Sequence, residues 1–194
     1  PNKLSGYLTL LRMNEKNLQK ALKQGDRKVF VVLLELYGDR LFRSAFLLCG
    51  KKNVAEDLVQ ETFLQAFRSI KKFRGQSAVY SWLHGILLNL NRKRNRNIFR
   101  LCFPDRLPEI HDKSLEEKAL PHDTEKISEL INSSIQSLSL KHREVLIMFY
   151  YDHLSIEEIS MKVNVSEGTI KSRLHYARES LKKLLPQELN LFSS

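Results

Sequence analysis

The feature that most limits what this chain can fold into is a helical period that recurs in nearly every patterned segment. From Val29 onward the apolar positions Phe30, Leu33, Leu34, Tyr37, Leu41, Phe42, Ala45, Phe46 and Leu48 keep a helical spacing, which gathers them on one side of an α-helix. The same period returns at Val54, Leu58, Phe63, Ala66 and Ile70, at Ile127, Leu130, Ile131, Ile135 and Leu138, and at Val145, Leu146 and Phe149. It closes with Ile170, Leu174, Ala177, Leu181 and Leu184. An all-α fold is expected. Its helices carry their own punctuation: Asn14 caps a first short segment that stops at Gly25, and Gly50 ends a long second one in which Gly38 offers a kink. Asn53 with Glu56 has the pattern of a capping box ahead of a third helix, and a fourth starts from Ala78.

Between about residues 98 and 124 the period fails. Pro104, Pro108 and Pro121 interrupt any helix there, and Asp105, Glu109, Asp112, Glu116, Glu117, Asp123 and Glu125 outnumber Arg106, Lys113 and Lys118. The expected organisation is two small helical domains, residues 14–97 and 125–186, joined by a flexible acidic linker over 98–124. Residues 1–13 form an N-terminal extension and 187–194 a tail. A length of 194 residues suits two modest cores.

Function has to come from where the charge sits. Lys and Arg number 32 against 22 Asp and Glu, a formal excess of +10 that draws a polyanion over long range. No apolar run reaches membrane-spanning length, and no signal peptide is expected at the N-terminus. Cys49 and Cys102 are too few for a disulfide framework and lack metal-ligand spacing, which suits a reducing cytoplasm. The six His residues are scattered, and no phosphate-binding glycine loop or nucleophile motif is present. No catalytic residue, metal or cofactor is therefore expected, and the protein works by binding.

Three surfaces stand out. Ser155 and Glu158 form a capping box, Asn164-Val165 a tight turn, and Ser166 a second N-cap, so two helices meet across a very short turn. The second helix buries its apolar stripe and turns Thr169, Lys171, Ser172, Arg173, His175, Tyr176 and Arg178 outward, as a recognition helix does toward the major groove. A hairpin with an ordinary solvated basic face would also carry Lys and Arg. The short turn, two caps and hydrogen-bonding donors together favour duplex DNA. In the N-terminal half, Asp57, Gln60, Glu61 and Leu64 fall three to four residues apart, a face of acids beside an apolar group that suits a basic protein partner. The short basic loop Phe73-Arg74-Gly75-Gln76-Ser77, beside Tyr80 and Trp82, suits an unstacked base. Asn89, Asn91, Arg92, Lys93, Arg94 and Arg96 follow it, a run able to neutralise phosphates. Trp82 itself reads as a core residue.

Leu154-Ser155-Ile156-Glu157-Glu158-Ile159 followed by Val165 to Arg178, with Leu138 to Leu146 upstream, resembles conserved region four of sigma factors. LuxR-type response regulators and some transposon-encoded regulators have similar terminal domains, so the helix-turn-helix alone leaves open a conventional duplex-binding regulator. Ala55-Glu56-Asp57-Leu58-Val59-Gln60-Glu61-Thr62-Phe63, Ala66-Phe67, Phe73-Arg74-Gly75 and Ser81-Trp82-Leu83 resemble conserved region two of the extracytoplasmic-function sigma factors, a branch of the sigma-70 family.

The resemblance implies an RNA polymerase sigma factor that directs core polymerase to promoters and assists melting. It implies base-edge contacts to the minus-thirty-five element by Lys171, Ser172, His175 and Tyr176, with Thr169, Arg173 and Arg178 mainly on phosphates. It further implies a flipped minus-ten base held by Phe73, Arg74, Gly75, Gln76 and Ser77, with Asn89, Arg92 and Lys93 on the DNA nearby. Asp57, Gln60, Glu61 and Leu64 would dock on the clamp-helix coiled coil of the largest polymerase subunit, and the linker would thread toward the RNA exit path. An anti-sigma factor, holding the protein inactive in the cytoplasm near the membrane, is the remaining implied partner. The chain departs from the family where a Tyr-Arg-Ile-Ala pattern is replaced by His84-Gly85-Ile86-Leu87. The usual arginine is missing there, and Gly85 weakens its helix by about 1 kcal/mol relative to alanine.

Overall fold

The computed structural model describes residues 14–75, 77–102 and 124–186, and every patterned segment among them is helical. They fall into two compact units, one formed largely by residues 14–98 and the other largely by residues 124–186. The N-terminal extension, most of the expected linker, the tail and Gln76 lie outside the described residues.

The first unit opens with α1, Glu15–Lys23, whose N-cap Asn14 accepts a hydrogen bond from the Asn17 amide at 2.9 Å. Gly25, at φ 73°, ends the segment as its sequence position suggested. The long α2, Val29–Cys49, runs unbroken through Gly38 and stops before Gly50, at φ 72°. Next comes α3, Lys52–Arg68, followed by a 3-10 turn at Ile70–Lys72. Here the expected Asn53–Glu56 capping box is corrected. The N-cap is Lys51, so Asn53 already lies inside the first turn, where its Oδ1 accepts from the adjacent Val54 amide at 2.9 Å. One of the orphan amides of the helix start is satisfied from within rather than from the cap. Val54, Leu58, Phe63, Ala66 and Ile70 are all buried, as their period required.

The last helix of this unit is α4, Val79–Cys102, which continues past residue 97 into the stretch read as linker. Its Leu83, Leu87 and Leu88 are almost fully buried, as are Leu18, Leu22, Leu33 and Leu41, each such side chain contributing about 2 kcal/mol of apolar burial.

The second unit holds α5 (Thr124–Ser137), α6 (Leu140–Tyr150), α7 (Ile156–Val163) and α8 (Glu167–Leu184). Leu130, Ile135, Leu138, Leu146, Ala177, Leu181 and Leu185 form one buried cluster. Arg143 locks the α5–α6 corner: its guanidinium donates to the Ile135 carbonyl at 3.0 Å, the Leu138 carbonyl at 2.9 Å, the Gln136 Oε1 at 2.6 Å and the Gln136 carbonyl. The Ile135 and Gln136 carbonyls lie in the last turn of α5, where a helix leaves carbonyls without intrahelical partners. Burial lowers the Arg143 pKa to about 10, leaving it charged at neutral pH.

Candidate nucleic-acid interfaces

In the second unit the turn between α7 and α8 is built by local hydrogen bonds. Ser155 Oγ accepts from the Glu158 amide at 3.1 Å and Glu158 Oε2 accepts from the Ser155 amide at 2.8 Å, the complete capping box. At the other end of α7, Asn164 takes the left-handed conformation at φ 55°, which asparagine tolerates better than most residues. Ser160 Oγ donates to the Val165 carbonyl at 2.7 Å, and Ser166 then caps α8 by accepting from the Thr169 amide at 3.3 Å. The side chains of Ser155, Glu158, Ser160 and Ser166 thus bond to the backbone at the two ends of α7 and the start of α8.

Ile170, Leu174, Ala177 and Leu181 bury the inner stripe of α8. Lys171, Ser172, His175 and Tyr176 are exposed on the outer side, with Arg173 and Arg178 half-buried. Since positions four apart lie above one another, Lys171 stacks over His175 and Ser172 over Tyr176. Tyr176, 60% exposed, has a ring neighbour in His142 at 6.2 Å, which orients it without covering it. Two side chains serve the helix first. Thr169 Oγ1 lies 3.0 Å from Ser166 Oγ and is drawn into the cap, and Ser172 Oγ donates to the Gly168 carbonyl at 3.0 Å. The outward donors at the start of α8 are therefore chiefly Lys171, Arg173, His175 and Tyr176. Lys171 has an exposed acidic neighbour, Glu167, at 3.9 Å, a pairing weak enough in water to yield to a phosphate. On α7, burial lowers the Lys162 pKa to about 8, against the opposing charges of Asp152 and Glu158.

In the first unit, Asp57, Gln60, Glu61 and Leu64 are all exposed along α3, with Leu64 at 49%. Glu61 has only a loose, exposed contact with Arg68 at 3.8 Å. The face is acidic with an apolar residue at its end, and a binding partner would bury little paired charge there.

The loop after the 3-10 turn departs from expectation at one residue. Phe73 is 5% exposed, its ring 4.9 Å from that of Trp82, so it anchors the loop and does not offer its face to a base. Trp82, read as a core residue, is half-buried against it. Arg74 and Ser77 are exposed, and Gly75 sits at φ 67°, a conformation that favours glycine. Along α4, Asn89 and Lys93 are exposed, Arg92 is half-buried, and Asn91 is buried at 1%. Asn95 donates to the Asn91 carbonyl and side chain at 2.9 and 3.2 Å. Asn91 thus belongs to the interior of the basic run.

What holds the loop was not legible in the sequence. Glu15 Oε1 accepts from the Val79 amide at 2.6 Å, capping α4 from another helix, and Oε2 accepts from the Tyr37 hydroxyl at 3.0 Å. Gln19 Nε2 donates to Glu15 Oε1 at 3.2 Å and to the Ser77 carbonyl at 3.3 Å. Burial, followed by the Glu15 charge, pushes the Tyr37 pKa up to about 12. The replaced family segment is also accounted for: His84 is fully buried, its Nε2 3.0 Å from Ser44 Oγ, and it stacks on Tyr80, over whose ring Arg40 lies at 3.8 Å. The contacts of Glu15 with Tyr37 and Val79, of Gln19 with Ser77, of Ser44 with His84 and of Arg40 with Tyr80 join residues more than twenty positions apart, where no local pattern could announce them.

Residues 33–97 match the family profile described as Sigma-70 region 2, and residues 128–181 match that described as Sigma-70, region 4. The ECF RNA polymerase sigma factor SigW of Bacillus subtilis is 29% identical over 185 residues, covering 90% of this chain and 98% of the relative. The ECF RNA polymerase sigma factor SigE of Mycolicibacterium smegmatis is 33% identical over 159 residues, covering 79% of this chain and 60% of the relative. Among solved structures, the sigma factor RpoE of Bartonella quintana, crystallised with the anti-sigma factor NepR, superposes with a TM-score of 0.64 at 27% identity. That superposition covers 81% of this chain and 96% of the other.

Proposed function

The chain belongs to the sigma-70 family as an extracytoplasmic-function (ECF) RNA polymerase sigma factor, and we propose that its two units divide promoter recognition between them. The 124–186 unit reads the minus-thirty-five element through α8. Lys171, His175 and Tyr176, with Ser172 beside them, face base edges, while Arg173 and Arg178 take phosphates. The 14–98 unit docks on core polymerase through Asp57, Gln60, Glu61 and Leu64. It holds the melted minus-ten strand at the loop of Arg74, Gly75 and Ser77, with Asn89, Arg92 and Lys93 on neighbouring phosphates.

The polymerase performs the phosphoryl transfer. The sigma factor supplies binding energy, which favours the opened promoter by holding one strand of it. An anti-sigma factor is the further partner of this reading, and a relative, the Bartonella quintana sigma factor RpoE, was crystallised in complex with the anti-sigma factor NepR. Among the described residues no helix is long and apolar enough to cross a membrane.

The observation that carries this reading is the pairing, in one chain, of a basic recognition helix with an exposed acidic-apolar face on α3. A conventional regulator needs the first and has no use for the second. Run-off transcription with bacterial core polymerase, on promoters selected from a random library, tests it. The chain should start transcripts from a defined motif that core polymerase alone ignores. A chain that binds duplex DNA yet never programmes core polymerase would be a conventional regulator.

A further inference from the structure

The first helix, α1, has no part in the reading above, yet it lies against the minus-ten loop and turns a basic face along it. Leu18 and Leu22 bury its inner side, at 1% and 0% exposure. Gln19 reaches the Ser77 carbonyl at 3.3 Å, which fixes the side of α1 that meets the loop. Lys23 lies four residues on and Lys16 three residues back, so both share that side, and Lys20 borders it. All three lysines are exposed. Lys23 comes closest: an added Cβ at Gly75 would run into its Cε and Nζ atoms. Its ammonium group therefore lies over the backbone of the loop at Gly75, with Lys72 and Arg74 exposed nearby.

The acids on this segment do not neutralise that face. Among the described residues no ion pair joins these lysines to an acid: Glu15 is turned inward onto the Val79 amide and the Tyr37 hydroxyl, and Asp26 Oδ1 accepts from the Lys28 amide at 2.9 Å. Lysines gathered beside Arg74 at a loop backbone repel one another weakly in water, and an anion that joins them turns this into attraction. A single strand with a base captured at Gly75 would bring its flanking phosphates to within reach of this group.

We propose that α1 is part of the single-strand site, with Lys20 and Lys23 holding phosphates that flank the nucleotide captured at the loop. The proposal rests on the minus-ten reading of that loop, and it lengthens the strand the protein grips beyond the captured base. Each phosphate neutralised on a single strand adds about 0.7 to the slope of log affinity against log salt. Two lysines add about 1.4, so the longer grip loses about sevenfold more affinity between 50 and 200 mM salt than a grip without them.

The test is fluorescence anisotropy of the full chain with two single-stranded oligonucleotides: a short one spanning the selected minus-ten motif, and the same motif extended on both flanks. The parent chain should gain affinity from the extension, and the gain should carry the steeper salt slope. The Lys20→Gln/Lys23→Gln variant should bind the extended strand more weakly than the parent, with a salt slope lower by about 1.4, and gain little from the extension. A variant that gains as much as the parent, or a parent that gains nothing, overturns the proposal while leaving the loop reading intact. A short strand that does not bind the parent, or that binds an Arg74→Ala variant equally well, removes the loop reading and this proposal with it.

Discussion

Replacing Glu15 with alanine should loosen the minus-ten loop from a helix that the loop's own sequence gives no reason to consult. In the parent, one carboxylate accepts from the Val79 amide at 2.6 Å, the Tyr37 hydroxyl at 3.0 Å and Gln19 Nε2 at 3.2 Å. The Val79 amide is an orphan donor of the first turn of α4, and losing such a cap costs about 1 kcal/mol. Losing the charge-assisted bond to Tyr37 in a half-buried setting brings the total to about 2 kcal/mol, with water recovering part of the rest. For a unit of this size, 1 kcal/mol moves the melting temperature by about 4–8 °C, so the first unit should melt about 10 °C lower by circular dichroism. Glu15→Gln, which keeps an acceptor without the charge, should fall between.

A second readout separates this account from a general loss of packing. Tyr37 should titrate near pH 12 in the parent, measured as the phenolate difference spectrum against Tyr37→Phe. In Glu15→Ala two of the causes that raise it vanish while burial remains, so the titration should move down without reaching the ordinary value of 10.0. A raised phenol pKa means the folded state is the weaker acid. The parent should therefore lose stability as pH rises from about 10 to about 12, and lose less of it in the variant. A variant that melts with the parent and leaves Tyr37 near pH 12 would refute the assignment of Glu15 as the cap.

Other substitutions follow from the same geometry. Arg173→Ala should weaken minus-thirty-five duplex binding nearly uniformly across sequences and lower the salt slope by about 1. Lys171→Ala should instead cost about 1–3 kcal/mol on the preferred site and relax the preference at one base pair, both read by gel shift across a sequence panel. The depressed Lys162 pKa means the unfolded state binds the extra proton above pH 8. Denaturant stability of the second unit should thus rise between about pH 8 and 10.5, and the rise should be absent in Lys162→Met. Gly75→Ala forces a side chain into a left-handed backbone at φ 67°, costing about 1–2 kcal/mol locally. It should reduce open-complex formation, scored by permanganate reactivity of melted thymines, with little change in duplex binding by α8.

Local chemistry explains which parts were readable from sequence. The Ser155–Glu158 box, the Ser166 cap and the apolar stripe of α8 are contained within single turns, so spacing alone announced them. The same holds for the acidic face on α3, whose four residues are exposed together because the helix that carries them is regular. Asn53 misled because an asparagine satisfies a first-turn amide from inside the helix as well as from its cap. Phe73 misled because loop position suggested exposure, whereas its ring packs on Trp82. Glu15 and Lys23 could not be anticipated, since their partners at Val79 and Gly75 lie more than fifty residues away and only the packing of α1 brings them together. Arg143, whose fan of carbonyl contacts closes the α5–α6 corner, looked like one basic residue among many.

The central claim is that one chain carries a polymerase-docking face and a separate DNA-reading face, and one pair of binding curves tests it most directly. Core polymerase and a minus-thirty-five duplex are titrated separately against the parent and against Asp57→Arg/Glu61→Arg. The account predicts that charge reversal on α3 abolishes core binding and transcription while duplex binding is unchanged or slightly strengthened. A variant that still assembles with core polymerase at parental affinity would contradict it.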